Sequence, residues 1–137
     1  MRIQVKLLPG WRDASSDNPK GPTTFMRGFD PMSPAFQVSW AEYQGGTIPD
    51  PTVEDLQKLS VDFGVSKRFE LIESSHGLCD FGKFGTAVFR GGNLARAQLW
   101  TISDGRNFIR ATHICVTEPE AAEIEEADQI ARALLLS

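Results

Sequence analysis

The chain has 137 residues, a formal net charge of −4, and 41% hydrophobic and 23% charged residues. That is the size and balance of one globular domain spanning 1–137, large enough to hold a core without disulfides or metal. An acidic chain with no Lys/Arg cluster excludes phosphate-driven nucleic-acid binding and docking on an anionic membrane.

The N-terminus, Met1-Arg2-Ile3-Gln4-Val5-Lys6-Leu7-Leu8, alternates apolar and polar residues and lacks the apolar core of a signal peptide. No apolar run approaches the ~20 residues a membrane helix needs. Only Cys79 and Cys115 are cysteines, so two free thiols in a reducing, cytoplasmic setting are expected.

The alternation predicts a first strand carrying Ile3, Val5 and Leu7 on one face, ended by Pro9-Gly10. Residues 12–22, rich in Ser, Asp, Asn, Pro and Gly, read as a loop. Thr23 to Phe29 reads as a short strand, and Asp30-Pro31-Met32-Ser33-Pro34 punctuates after it. Phe36, Val38 and Trp40 alternate with polar or small residues, which predicts a half-buried strand with Trp40 on its core face. Gly45-Gly46 closes that segment.

Asp50 as N-cap and Pro51 in the first turn predict a helix. Its stripe is Val53, Leu56, Leu59 or Ser60, and Phe63, with Gly64 as the stop. Four strands follow: Lys67–Ser74, Gly82–Arg90, Ala95–Ser103 and Asn107–Val116. Asp104-Gly105 predicts a tight type I′ hairpin between the last two. The C-terminal helix begins near Pro119 and carries Ile124, Ala127, Ile130, Ala131 and Leu134 as its apolar stripe. The fold class expected is therefore α+β: an antiparallel or mixed sheet of six to seven strands with two amphipathic helices, in a layered α/β sandwich.

Candidate chemistry is sparse. Asp80-Phe81-Gly82 matches the magnesium tripeptide of kinases, but the nucleotide loop and catalytic loop are absent. The glycines there suit a bend entering a strand. His76, Cys79, His113 and Cys115 offer zinc-type ligands, yet their spacing matches no common zinc motif. No metal or other cofactor is expected. Cys115 reads as a small buried residue and His76 as a loop residue. Cys79 and His76 suggest a nucleophile pair, with no orienting acid or oxyanion donor to support it. The acidic run from Glu118 to Asp128 reads as the solvated face of the last helix.

The arginines and tryptophans of the sheet carry more weight. Trp40, Trp100, Arg96, Arg110 and His113 are the candidate binding residues, since Trp and Arg anchor many interfaces. Two readings follow. The first is a small non-enzymatic accessory protein that binds another protein, of the effector-chaperone or immunity type, as a monomer or homodimer. The second is a small-molecule binder or enzyme with a pocket between helix and sheet, near Trp100, Arg110 and His113.

A longer pattern supports the first. Phe81-Gly82-Lys83-Phe84-Gly85-Thr86-Ala87, then Ala97-Gln98-Leu99-Trp100, then Ser103-Asp104-Gly105-Arg106 and a C-terminal amphipathic helix, with the Trp11 and Trp40 regions in front, resembles the Mog1/PsbP/DcrB-like fold of bacterial proteins. That group includes small lipoproteins, photosystem accessory subunits, a Ran-binding protein and type VI secretion effector chaperones. The resemblance implies a layered α/β sandwich and a role in binding or assembly. The absence of a lipoprotein signal in this sequence argues against the envelope members.

Overall fold

The computed structural model describes residues 1–30 and 32–137; Pro31, part of the punctuation read at 30–34, lies outside the described residues. Seven strands form one sheet in the order β2-β3-β4-β8-β7-β6-β5. They are β2 (Trp11–Asp13), β3 (Thr23–Arg27), β4 (Ala35–Ala41), β5 (Glu70–Cys79), β6 (Gly82–Gly91), β7 (Leu94–Ser103) and β8 (Phe108–Cys115). Every neighbouring pair is antiparallel. Helices α1 (Val53–Ser66) and α2 (Ala121–Arg132) cover opposite faces. A second small sheet pairs β1 (Ile3–Gln4) with β9 (Leu135–Leu136).

The register sorts the side chains. Phe36, His113, Gln98 and Val88 stand in one row across β4, β8, β7 and β6, and Val38, Ala111, Trp100 and Thr86 in the next. These rows face α2, whose Ala127, Ile130 and Ala131 pack on them with Trp11 and Phe25. Trp11, Phe36 and Trp100 form a chain of rings with centroids 6.3 and 5.7 Å apart. Residues one step along, such as Gly85 and Thr101, face α1. There Ser60 donates to the Gly85 carbonyl at 2.9 Å and lies 2.8 Å from the Thr101 hydroxyl.

Several expectations needed correction. The first strand stops at Gln4, because its pairing partner among the described residues is the two-residue β9. Val5 and Leu8 still pack against the core. Arg12 and Asp13, expected to open a loop, instead form with Trp11 an edge strand paired with β3. Its polar composition suits an edge, which has only one neighbour to satisfy. His76 and Cys79 lie within β5, which begins at Glu70 and runs past Ser74. The turn before it is set by Arg68, whose φ of 64° is left-handed.

Thr52, not Asp50, caps α1: its hydroxyl accepts from the Asp55 amide, and the Asp55 carboxylate accepts from the Thr52 amide, a reciprocal capping box. Asp50, with φ of 39°, turns the chain and donates its amide to the Gly105 carbonyl. Gly64 lies inside the helix, where a Cβ would sit 2.2 Å from the Phe89 ring. Ser60 rather than Leu59 takes the buried place, Leu59 being 44% exposed. The Asp104-Gly105 loop is longer than a type I′ turn: only Gly105 has positive φ, and the Asp104 carboxylate accepts from the amides of Arg106 and Asn107.

Among the described residues, no helix is long and apolar enough to cross a membrane.

Candidate functional site

Helix α2 packs on the β4, β8 and β7 rows, and its last residue, Arg132, lies over the Phe84 ring of β6 and accepts from the Asp80 amide just past β5. The helix is fixed there by its own acidic residues. Glu126 accepts from the Trp11 indole at 2.9 Å, Asp128 from the Trp100 indole at 3.0 Å, and Glu123 lies 2.8 Å from His113 Nε2. Three acids read as solvated therefore face the sheet. Their spacing, 123, 126 and 128, follows the buried stripe, a clue hidden by the surrounding glutamates.

Along the flank of α2, a groove of about 420 Å³ remains between the helix and β5, β6 and β7. Its floor is polar. Arg96 Nη2 donates to Gln98 Oε1 at 3.1 Å, Gln98 Nε2 to the Thr86 hydroxyl at 3.0 Å, and that hydroxyl to the Leu99 carbonyl at 2.8 Å. Arg96 Nη1 is buried and has no hydrogen-bond partner among the described residues. Gln98 and Thr86 are buried, yet they stand in rows whose other members are core residues. Glu73 on the β5 wall and Glu125 on the α2 wall have no ion-pair partner among the described residues, while Asp128 is paired with Arg132 at 2.8 Å. The groove thus combines the half-buried Arg96 guanidinium, the Asp128–Arg132 pair, an amide–hydroxyl chain and two unpaired carboxylates on facing walls.

The five predicted binding residues do not converge. Arg96 lines the groove. Trp100 and His113 are fully buried beneath α2. Arg110 stands on the opposite face, its guanidinium 4.8 Å from the Phe63 ring of α1. Trp40, expected in the core, is 36% exposed at the end of β4. It shares a shallow depression with Arg110 and Leu59. A pocket joining Trp100, Arg110 and His113 does not form, because alternate strand positions put them on two faces. Glu73, Thr86, Gln98 and Glu125 were missed. The usable signal was Thr86 and Gln98, polar residues in phase with apolar strand neighbours.

The His/Cys quartet is also divided. His76 and Cys79 are on β5, His113 and Cys115 on β8, with β6 and β7 between. Three strand spacings put roughly 14 Å between the pairs. His76 is held by Gln57 of α1, on the face opposite the one taken by Cys79. Among the described residues, no group of three or more His, Cys, Asp and Glu could hold a metal ion. Asp80-Phe81 forms the β5–β6 turn and Gly82 opens β6, where it has φ of 138° and a Cβ would meet the Ser103 carbonyl at 2.6 Å.

Cys115, His113 and Glu123 do line up in the order of a nucleophile, base and orienting acid. Burial lowers the His113 pKa, so the ring is neutral. Its Nε2–H donates to Glu123, which leaves Nδ1 to accept from the Cys115 thiol 3.7 Å away. The thiol is fully buried and its pKa is pushed up to about 12, chiefly by desolvation. A thiol that is neither ionised nor reachable has no nucleophilic use. The trio is a buried polar joint between β8 and α2.

That joint predicts a pH dependence. A histidine whose folded pKa is depressed adds stability above its unfolded value near 6.5, and loses it as pH falls toward the folded value. Glu123, Arg96, Cys115 and Trp11 surround the ring. Melting temperature should hold level from pH 8 to about 6.5 and decline below, well above the range where surface carboxylates titrate. His113→Gln, which can still donate to Glu123, should flatten that decline. An unchanged slope in the variant would rule His113 out as its source.

The layered sheet, its strand order and the two flanking helices define a PsbP-like α+β fold. No family model and no curated protein matches the chain. Among solved structures it is similar to the cyanobacterial PsbP protein CyanoP from Synechocystis sp. PCC 6803. The TM-score is 0.60 at 14% sequence identity, covering 98% of this chain and 92% of that one.

Proposed function

We propose that this protein is a non-catalytic accessory protein that takes an extended segment of a partner protein into the groove between α2 and β5. The observation that carries this reading is the pair of unpaired carboxylates, Glu73 and Glu125, on facing walls above a floor with a half-buried arginine. Such a groove suits a segment with a basic side chain between the carboxylates and backbone groups against Arg96 and Gln98. The PsbP-like fold agrees with the binding role that the resemblance in the sequence implies. The Cys115–His113–Glu123 line-up is sealed in the core, which favours binding over catalysis by those residues.

The test compares native-lysate pull-downs by the wild type and by Glu73→Lys/Glu125→Lys. Both positions are exposed, so the variant should fold. At least one protein should be enriched on the wild type and lost on the variant, since like-charge juxtaposition costs several kcal/mol at an interface. Equal recovery on both proteins, or none on either, would remove this reading. A small molecule retained by the wild type in native mass spectrometry would favour the pocket reading instead.

A further inference from the structure

We propose that the chain pairs with a second copy of itself along β5, as a two-fold dimer joined through one continuous sheet. The sheet has two edges. β2 offers three residues, and β5 offers ten, with Leu71, Ile72 and Leu78 exposed at 40%, 42% and 74%. β5 contains neither proline nor lysine, the residues that commonly protect an edge from pairing.

The occupant follows from register. In an antiparallel pair, directly opposed residues share a face, and side chains alternate along each strand. A two-fold axis normal to the sheet must therefore pass where one residue meets its own copy. Centred on Ser75, the pairing sets Ser74 against His76 and Glu73 against Gly77 of the second copy. The next step depends on the bulge. Leu71 and Glu73 pair with consecutive β6 residues, Phe89 and Val88, so Leu71 stands one step beyond Glu73 and Ile72 is the extra residue. Leu71 consequently falls opposite Leu78, twice in each dimer, and Glu70 falls opposite Cys79. No charged side chain meets another of its own sign.

Neighbouring registers do worse. Centred on Ser74, Leu71 faces His76 and Leu78 has no partner. Centred on His76, Leu78 faces Ser74 and Leu71 is left over. The edge is also preformed: Gln57 of α1 hydrogen-bonds Ser74 Oγ at 2.7 Å and His76 Nδ1 at 2.6 Å, the two residues that meet across the axis. Because the axis is normal to the sheet, both grooves open on the same side, with Ser75 of each wall beside it. The pairing stands whether or not the groove takes a partner.

Sedimentation equilibrium of the full chain tests this. The wild type should be a dimer. Leu71→Asp and Leu78→Lys should each raise its dissociation constant by at least about tenfold, with unchanged circular dichroism. The two variants mixed should form a heterodimer, since the introduced carboxylate at 71 then faces the introduced ammonium at 78, and the other leucine pair survives. In a Cys79→Ser background, Ser75→Cys should cross-link to a covalent dimer under mild oxidation. A wild type that stays monomeric at all attainable concentrations would overturn the proposal. So would a dimer indifferent to both substitutions, or a folded pair of variants that fails to associate.

Discussion

Gly85→Ala is expected to remove about 3 kcal/mol of stability, the upper part of the range for overpacking a core. The cause is backbone, not side chain. A Cβ at this position would lie 2.0 Å from the Gln57 amide nitrogen, 2.3 Å from the Leu56 carbonyl carbon and 2.4 Å from the Gln57 Cα. None of these atoms can rotate away. Helix α1 would have to lift off β6, and lifting it would also break the bonds from Ser60 to the Gly85 carbonyl and the Thr101 hydroxyl. That leaves a buried hydroxyl unsatisfied, a further penalty of about 1–3 kcal/mol. A domain with a typical total of about 5–15 kcal/mol would then be close to unfolding. Gly77→Ala is the control. Its Cβ would meet only the rim of the Phe84 ring, at 3.1 Å. Urea midpoints of the two variants should differ widely, and equal midpoints would show that the helix does not rest on Gly85.

Trp100→Ala should cost roughly 3–5 kcal/mol, as expected when a large buried aromatic is removed. Trp100 is fully buried, packs on Phe36 at 5.7 Å and donates its indole N–H to Asp128. The substitution would open a cavity and cut one of the polar links that hold α2. Trp100→Phe should cost less, because most of the volume returns and Asp128 keeps Arg132. Trp40→Ala should cost least, its side chain being 36% exposed. Thermal melts that failed to rank the three in this order would contradict the assigned core.

The elements best read from the sequence are those where one signal dominates. β4 carries Phe36 and Val38 in strict alternation, which made the strand visible although it ends at Ala41, ahead of Gly45-Gly46. β6, β7 and β8 were visible for the same reason, since each runs eight to ten residues with the turn residues at its ends. The misses have distinct causes. β2 is three residues of Trp, Arg and Asp, and it is a strand because β3 pairs with it. β1 and β9 exist only as each other's partner. The cap of α1 was misplaced because Asp50 and Thr52 both suit the role, and only the position of Asp55 decides between them. The candidate residues dispersed because single-strand patterns say which residues share a face, not which face lies under a helix. Arg96 was named, but the groove around it runs along the flank of α2, and where that helix lies on the sheet is set by packing. Fold class and the PsbP-like resemblance were legible at the level of element order.

All but one of the ladders in the large sheet join strands that follow each other along the chain. The exception is β4 with β8, seven register pairs from Ala35↔Ile114 to Ala41↔Phe108. The whole of α1 and the β5–β7 meander lies in the loop it closes. Within the large sheet, the chain-entropy cost of joining distant segments is therefore concentrated in this one seam, while its other ladders join strands that are neighbours in the sequence. Apart from the contacts of α2, the N-terminal β2–β3–β4 block is joined to the rest of the sheet along that line.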